Sequence, residues 1–162
     1  MGAKSKRSLY LYLAIACFIG IIAIFIVDGY LGIYDTIYMT TGEQEMIVEP
    51  EYWQSRYPGA RKAYYYMGAN WGDKVFFRYE LNNRRFSSYS ASIGASVWKE
   101  NEKVLDLFLS EDKLIKPFDK AMVKWTLDPQ KLQSDGFYGK PTEYTVKIER
   151  NGVEWRIIVD YR

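Results

Sequence analysis

Histidine is absent from the 162 residues, and cysteine occurs once, as Cys17. Without histidine there is no imidazole general base, no His-ligated zinc site and no imidazole pH switch. A lone cysteine rules out an intramolecular disulfide and a cysteine-built structural zinc site. It does not argue against an oxidising compartment; it says only that the fold needs no bridge. Net charge is +2, too small to imply nucleic acid, and no basic run occurs beyond the first seven residues. Gly-rich phosphate cradles and D-x-D-x-D calcium loops are missing too. There is no internal repeat and no low-complexity linker, so the polar part reads as one domain of ordinary size.

One long run lacks charge altogether. Residues 9–27, LYLYLAIACFIGIIAIFIV, carry no ionisable group except Tyr and Cys17. As a helix they would extend about 28 Å, close to the hydrocarbon thickness of a bilayer. A soluble core helix would show a polar stripe, and none is present. The expected organisation is a basic cytoplasmic tail at 1–8, a transmembrane helix at 9–27 and an extracytoplasmic domain at 28–162. The direction comes from the flanks. Lys4, Lys6 and Arg7 precede the run; Asp28, Asp35, Glu43, Glu45, Glu49 and Glu51 follow it before any further Lys or Arg. Basic flanks stay cytoplasmic, which predicts a single-pass plasma-membrane protein with its N-terminus inside. Tyr10, Tyr12, Tyr30 and Tyr34 suit the two interfacial belts. Val27 and Gly29 are small enough for a signal-peptidase cut after Gly29, but the run exceeds a usual signal core and reads as an uncleaved anchor. Ala16, Gly20, Ala23 and Val27 fall at i, i+4, i+7 and i+11, a small-residue stripe that would let another helix approach.

Beyond the anchor the periodicity is that of strands. Residues 33–40 and 45–49 flank a turn at 41–44. Residues 75–81 and 84–93 flank Asn82-Asn83, which predicts a tight hairpin. Residues 95–100 and 103–110 flank Asn101-Glu102. A short strand follows at 113–116, and 121–127 alternates with Val123, Trp125 and Leu127 on one side. Residues 128–141 read as a polar loop. The clearest element is the last hairpin, with Tyr144, Val146 and Ile148, the turn Asn151-Gly152, then Trp155, Ile157, Val159 and Tyr161. Eight or nine such strands predict a mainly β fold, an immunoglobulin-like β-sandwich tethered to the single N-terminal helix, with a small barrel as the alternative.

Tests for catalysis fail on context. Ser96-Val-Trp-Lys99 has the bare S-x-x-K spacing of penicillin-recognising enzymes, but lies in a strand pattern, where i and i+3 point apart, and lacks the partner motifs. No catalytic residue, cofactor site or metal site is expected, and the chain reads as a non-enzyme. The remaining functional candidate is an aromatic stretch within 49–73, expected to be a long loop with a short helix at 51–57. Tyr52, Trp53, Tyr57, Tyr64, Tyr65, Tyr66 and Trp71 are interleaved there with Arg56, Arg61, Lys62 and Asn70. Tyr, Trp and Arg together are the composition of contact hot spots. Rings beside Asn and Arg also suit stacking on a sugar. The bland alternative is that they close one end of the domain or rest on the membrane.

The layout of basic tail, apolar helix and β-domain resembles that of pilin-like and archaellum-associated proteins. Arg7-Ser8-Leu9 stands where their processing site places Gly or Ala, so the resemblance is confined to architecture. The expected function is a membrane-anchored extracytoplasmic interaction or structural protein, an accessory subunit of a membrane or cell-envelope assembly. The alternative is an envelope module that binds a glycan or another ligand through the aromatic loop. Expected partners are the membrane, a protein met through the helix and outer domain, and a possible glycan, but no nucleic acid.

Overall fold

The computed structural model describes residues 3–42, 44–49 and 64–162. One helix, α1 (Ala3–Leu31), precedes nine strands among these residues: β1 (Ile33–Thr41), β2 (Gln44–Val48), β3 (Tyr64–Ala69), β4 (Val75–Asn83), β5 (Tyr89–Lys99), β6 (Glu102–Ile115), β7 (Lys120–Leu127), β8 (Thr142–Arg150) and β9 (Val153–Tyr161).

The helix continues past the apolar run at both ends. No residue from Tyr10 to Val27 is buried, so this apolar surface is uncovered by the rest of the chain. By length and composition it is able to cross a membrane. Gly32 stops it. With φ +65° it occupies the left-handed position that commonly follows a helix end, and β1 begins at the next residue.

The strands form two sheets. One has the order β2-β1-β4-β7 and the other β3-β9-β8-β5-β6. All pairings are antiparallel except β3 with β9. Alternation supplies the core. Val75, Phe77, Tyr79 and Leu81 of β4 are buried with Val123, Trp125 and Leu127 of β7. From the other sheet come Ile93 and Val97 of β5, Tyr144, Val146 and Ile148 of β8, and Trp155, Ile157, Val159 and Tyr161 of β9. They form one cluster, and rings meet across the layers: Tyr79 with Trp155 at 6.0 Å and Phe108 with Trp125 at 6.3 Å. Burying each such side chain stabilises the fold by about 1.5–3 kcal/mol before entropy is counted.

The final hairpin forms as the alternation predicts. Asn151 and Gly152 take φ +48° and +80°, the paired left-handed conformation of a type I′ turn. The hairpins at β1–β2 and β5–β6 also match their sequence signals. Four segments differ. Asn82-Asn83 is no hairpin turn: both residues finish β4, and β5 lies in the other sheet. Strand β5 runs unbroken through Gly94, where a bulge against β6 absorbs the irregularity. Residues 113–116 are not a separate strand, because β6 runs on to Ile115. The loop at 128–141 contains a 3-10 turn, Pro129–Asp135, capped by the Asp128 side chain accepting from the Gln130 N–H.

The largest correction concerns the aromatic stretch. Tyr64, Tyr65 and Tyr66 belong to β3, a strand added in parallel to β9, and not to a loop. Met67 and Ala69 are buried while Tyr66 and Gly68 are exposed, so the period-2 pattern is present though three tyrosines hide it. The expected helix at 51–57 lies outside the described residues.

Candidate binding cleft at the distal end

Strand β1 runs about 27 Å from Ile33, beside the helix end, to Thr41. Antiparallel register sets which residues share that far end. Thr41 and the Thr41-Gly42 turn lie there with the start of β4, and parallel pairing brings Met67, Gly68 and Ala69 beside Val159, Asp160 and Tyr161. Between them is an open cleft of about 600 Å³, lined by Thr41, Gln44, Tyr66, Asn70, Asp73, Asp160 and Arg162 together with glycines and Ala69. Its size is that of a small-ligand site, but its lining is unusually polar for one.

Asp160 organises the cleft. Its carboxylate accepts from the Tyr66 hydroxyl at 2.6 Å and from Arg162 Nε at 2.6 Å, and Tyr66 also reaches Glu143 at 3.4 Å. Burial works to raise the Asp160 carboxyl, but donation from Tyr66 and Arg162 outweighs it and holds the group below the ordinary carboxylate range. The same hydrogen bond from Tyr66 to Asp160 raises the phenol. Asn70 Nδ2 donates to Asp73 at 2.9 Å. The Thr41 hydroxyl is buried in the wall with no partner among the described residues.

Trp71 follows Asn70 of the cleft lining but does not itself line the cleft. It is 7% exposed, stacks on Tyr161 at 4.8 Å, meets Tyr138 at 4.9 Å and donates from Nε1 to the Lys140 carbonyl at 2.9 Å. Backbone bonds from Trp71 N–H to the Arg162 carbonyl and from Arg162 N–H to the Ala69 carbonyl tie the C-terminal residue to the same place. Burial raises the Tyr161 phenol, with the Asp128 and Asp73 charges adding to it, so this ring stays neutral.

Of the sequence candidates, then, Tyr66 lines the cleft, Tyr65 packs half-buried against the core and Trp71 closes the end of the domain from inside. Tyr64 lies on the same strand. Tyr52, Trp53 and Tyr57 lie outside the described residues. Ala16, Gly20, Ala23 and Val27 are all exposed on α1. Sequence reasoning missed Asp160, Arg162 and Thr41. The alternation of β9 marked Asp160 as outward-facing, which concealed that Tyr66 from the next strand would cover it.

A second polar cluster sits near the opposite end, inside the fold. Asp35 of β1, 1% exposed, accepts from Arg150 of β8 through both oxygens, at 2.9 and 2.6 Å. Tyr79 donates to the same carboxylate, and Arg150 Nη1 donates to the Tyr89 hydroxyl at 2.5 Å. Burial opposes the Arg150 charge, but Asp35 outweighs it and raises the guanidinium further. Burial, then the Asp35 charge, raises the Tyr79 phenol. The cluster is a fork-to-fork ion pair joining opposite sheets, a brace with its carboxylate saturated.

Nothing in these clusters resembles a catalytic constellation. Ser96 Oγ accepts from Trp98 Nε1 at 2.8 Å, while the Lys99 ammonium lies over the Phe137 ring. Among the described residues no group of three or more acidic or cysteine side chains is placed to hold a metal.

No protein-family model matches the sequence, and no curated protein does. Solved structures share weak likeness. An alkylpurine DNA glycosylase from Pseudomonas fluorescens, bound to DNA with an abasic-site analogue, is 8% identical at TM-score 0.39, over 63% of this chain and 28% of its own. A family 123 glycoside hydrolase from Clostridium perfringens is 9% identical at TM-score 0.42, over 81% and 27%. A protein of unknown function from Porphyromonas gingivalis is 12% identical at TM-score 0.36, over 80% and 66%. The chain thus spans little more than a quarter of the two enzymes' length. At these TM-scores none of them assigns a family, substrate or partner.

Proposed function

We propose that the protein is a single-pass, membrane-anchored interaction or structural subunit. Its β-rich domain stands outside the cytoplasm as an accessory part of a membrane or cell-envelope assembly. One observation carries the reading: from Tyr10 to Val27 α1 is apolar on every side and uncovered, yet the helix passes through a single glycine into β1. In water such a surface would be a severe liability, and in a bilayer it is satisfied. The basic residues before it and the acidic excess after it support an N-terminus inside. Apart from its chain neighbours and the nearby backbone of α1, nothing lies within 4 Å of where a Cβ on Gly20 would sit, so packing within the chain does not demand glycine there. That supports the stripe of Ala16, Gly20, Ala23 and Val27 as a seat for another helix.

The test is extraction of native membranes with alkaline carbonate. The intact chain should remain in the pellet. A variant with Ile19→Arg and Ile22→Arg, which adds about 5–7 kcal/mol to insertion, should shift to the supernatant. Release of the unaltered chain would refute the anchor.

Strand order supports a finer reading of the fold as immunoglobulin-like. Neighbours β4 and β7 face the series β9-β8-β5, as B and E face G, F and C in that scheme, and an edge strand runs parallel to the last one. An experimental structure in which β3 is not parallel to β9 would remove this assignment.

A second reading has its own support in the distal cleft. Tyr66, Asn70, Asp73, Asp160 and Arg162 offer donors and acceptors suited to a neutral polyhydroxylated ligand such as a glycan. Binding of the detergent-solubilised chain to an immobilised glycan array should then be weakened at least about tenfold by Asp160→Asn, the loss of one charge-assisted contact. A chain that binds no glycan on a broad array rules this reading out.

A further inference from the structure

The crossovers at the helix end of the domain carry an exposed aromatic pair ringed by positive charge. Phe86 and Phe118 project from the segments 84–88 and 116–119, 48% and 59% exposed, in an edge-to-face contact at 4.9 Å. Phe118 has φ +55°, a conformation L residues with a bulky side chain avoid. Asn83 holds both segments in place. Its side-chain amide donates to the carbonyls of Ser87 at 2.8 Å, Ile115 at 3.2 Å and Lys116 at 3.0 Å. Its Oδ1 accepts from the Arg85 N–H, and its own N–H donates to the Asp119 carbonyl. The fold therefore invests a buried asparagine and a strained backbone in presenting two phenylalanines to solvent.

Their position says what would cover them. The Arg84 N–H donates to the carbonyl of Gly32, the residue that ends α1, at 3.3 Å, and the Arg84 guanidinium lies over the Tyr34 ring at 4.5 Å. Arg84, Arg85, Lys116 and Lys120 stand in or beside the two segments. The one acidic residue among them, Asp119, accepts from the Lys120 backbone N–H; Glu80 lies 4.0 Å from the Lys120 ammonium. Aromatic tips flanked by Arg and Lys match a phospholipid surface: the rings enter the headgroup–acyl boundary and the cations meet phosphate.

We infer that this end of the β-domain is a membrane-docking face, with Phe86 and Phe118 seated in the headgroup layer of the bilayer that α1 crosses and Arg84, Arg85, Lys116 and Lys120 contacting anionic lipid. The inference rests on the anchor reading above, and it makes the domain a body held against the bilayer rather than one swinging on Gly32. A protein partner for the same face is the rival outcome.

The test uses the full chain with Cys17→Ser, reconstituted in bilayers of phosphatidylcholine with or without phosphatidylglycerol. A nitroxide is placed on Ser88→Cys, beside Phe86, or on Ser134→Cys at the far end. Carbonate extraction of the same bilayers first establishes whether α1 is integral. With the chain integral, the label at 88 should show a several-fold higher ratio of oxygen to nickel-chelate collisions than the label at 134, more so with phosphatidylglycerol. Phe86→Ser with Phe118→Gly should bring the two ratios together. Glycine is at ease at φ +55°, so this variant keeps the backbone. Arg85→Ser with Lys116→Ser should weaken the dependence on phosphatidylglycerol, and adding Arg84→Ser and Lys120→Ser should abolish it. An integral chain whose label at 88 is as nickel-accessible as that at 134 overturns the docking face and leaves the anchor standing. Protection that varies with protein density but not with lipid composition also overturns it, in favour of a protein contact. Release by carbonate defeats both readings.

Discussion

Asp35 and Arg150 come from strands that never pair, yet they form a polar link of 2.6 Å between the two sheets. Removing one partner leaves the other charged, buried and unmatched, whereas removing both leaves an apolar gap that neighbours fill. Asp35→Ala should therefore lower stability by about 3–5 kcal/mol, and Asp35→Leu with Arg150→Met and Tyr79→Phe, which also removes the hydroxyl that Asp35 accepts from, should recover most of it. Chemical unfolding of the detergent-solubilised chain, followed by tryptophan fluorescence, measures both. Asp160 makes a different prediction. Its folded pKa lies below the ordinary 3.8, so the unfolded chain takes up the proton first as pH falls. The stabilisation from Tyr66 and Arg162 is thus complete well above pH 3.8 and is lost as pH drops through the depressed value. Melting temperature measured down to pH 2 should fall less for Asp160→Asn than for the native chain; identical acid limbs would show that the cleft network contributes nothing. Neither residue stood out in the sequence. An acidic residue in a strand reads as solvent-facing, and only the register of strands distant in the chain reveals its partner.

Among the elements, legibility followed locality. Helix α1 and the β8–β9 hairpin were readable because their signals are contiguous: an uncharged run for one, clean alternation around Asn151-Gly152 for the other. Strand β3 was hidden because Tyr64-Tyr65-Tyr66 shows no polar–apolar contrast and a parallel partner 92 residues away leaves no turn between them. Asn82-Asn83 misled for the converse reason. Asparagine pairs favour hairpins, but here the Asn83 side chain satisfies the carbonyls of two crossovers, and that lets the chain leave one sheet for the other. The candidate cleft was legible only in part. Tyr66 was singled out, while its partners Asp160 and Arg162 lie at the other end of the sequence.

As a whole the described residues form an apolar helix, uncovered from Tyr10 to Val27, and a two-layer β-domain, joined at Gly32. On the reading proposed above, the first crosses a membrane and the second lies outside the cytoplasm. The measurement that tests it most directly is labelling of intact cells with a membrane-impermeant maleimide, using Cys17→Ser chains with a single cysteine at Ser134 or at Ser5. The cysteine at 134 should react in intact cells, and the one at 5 only after lysis. Reaction at 134 only after lysis would contradict it.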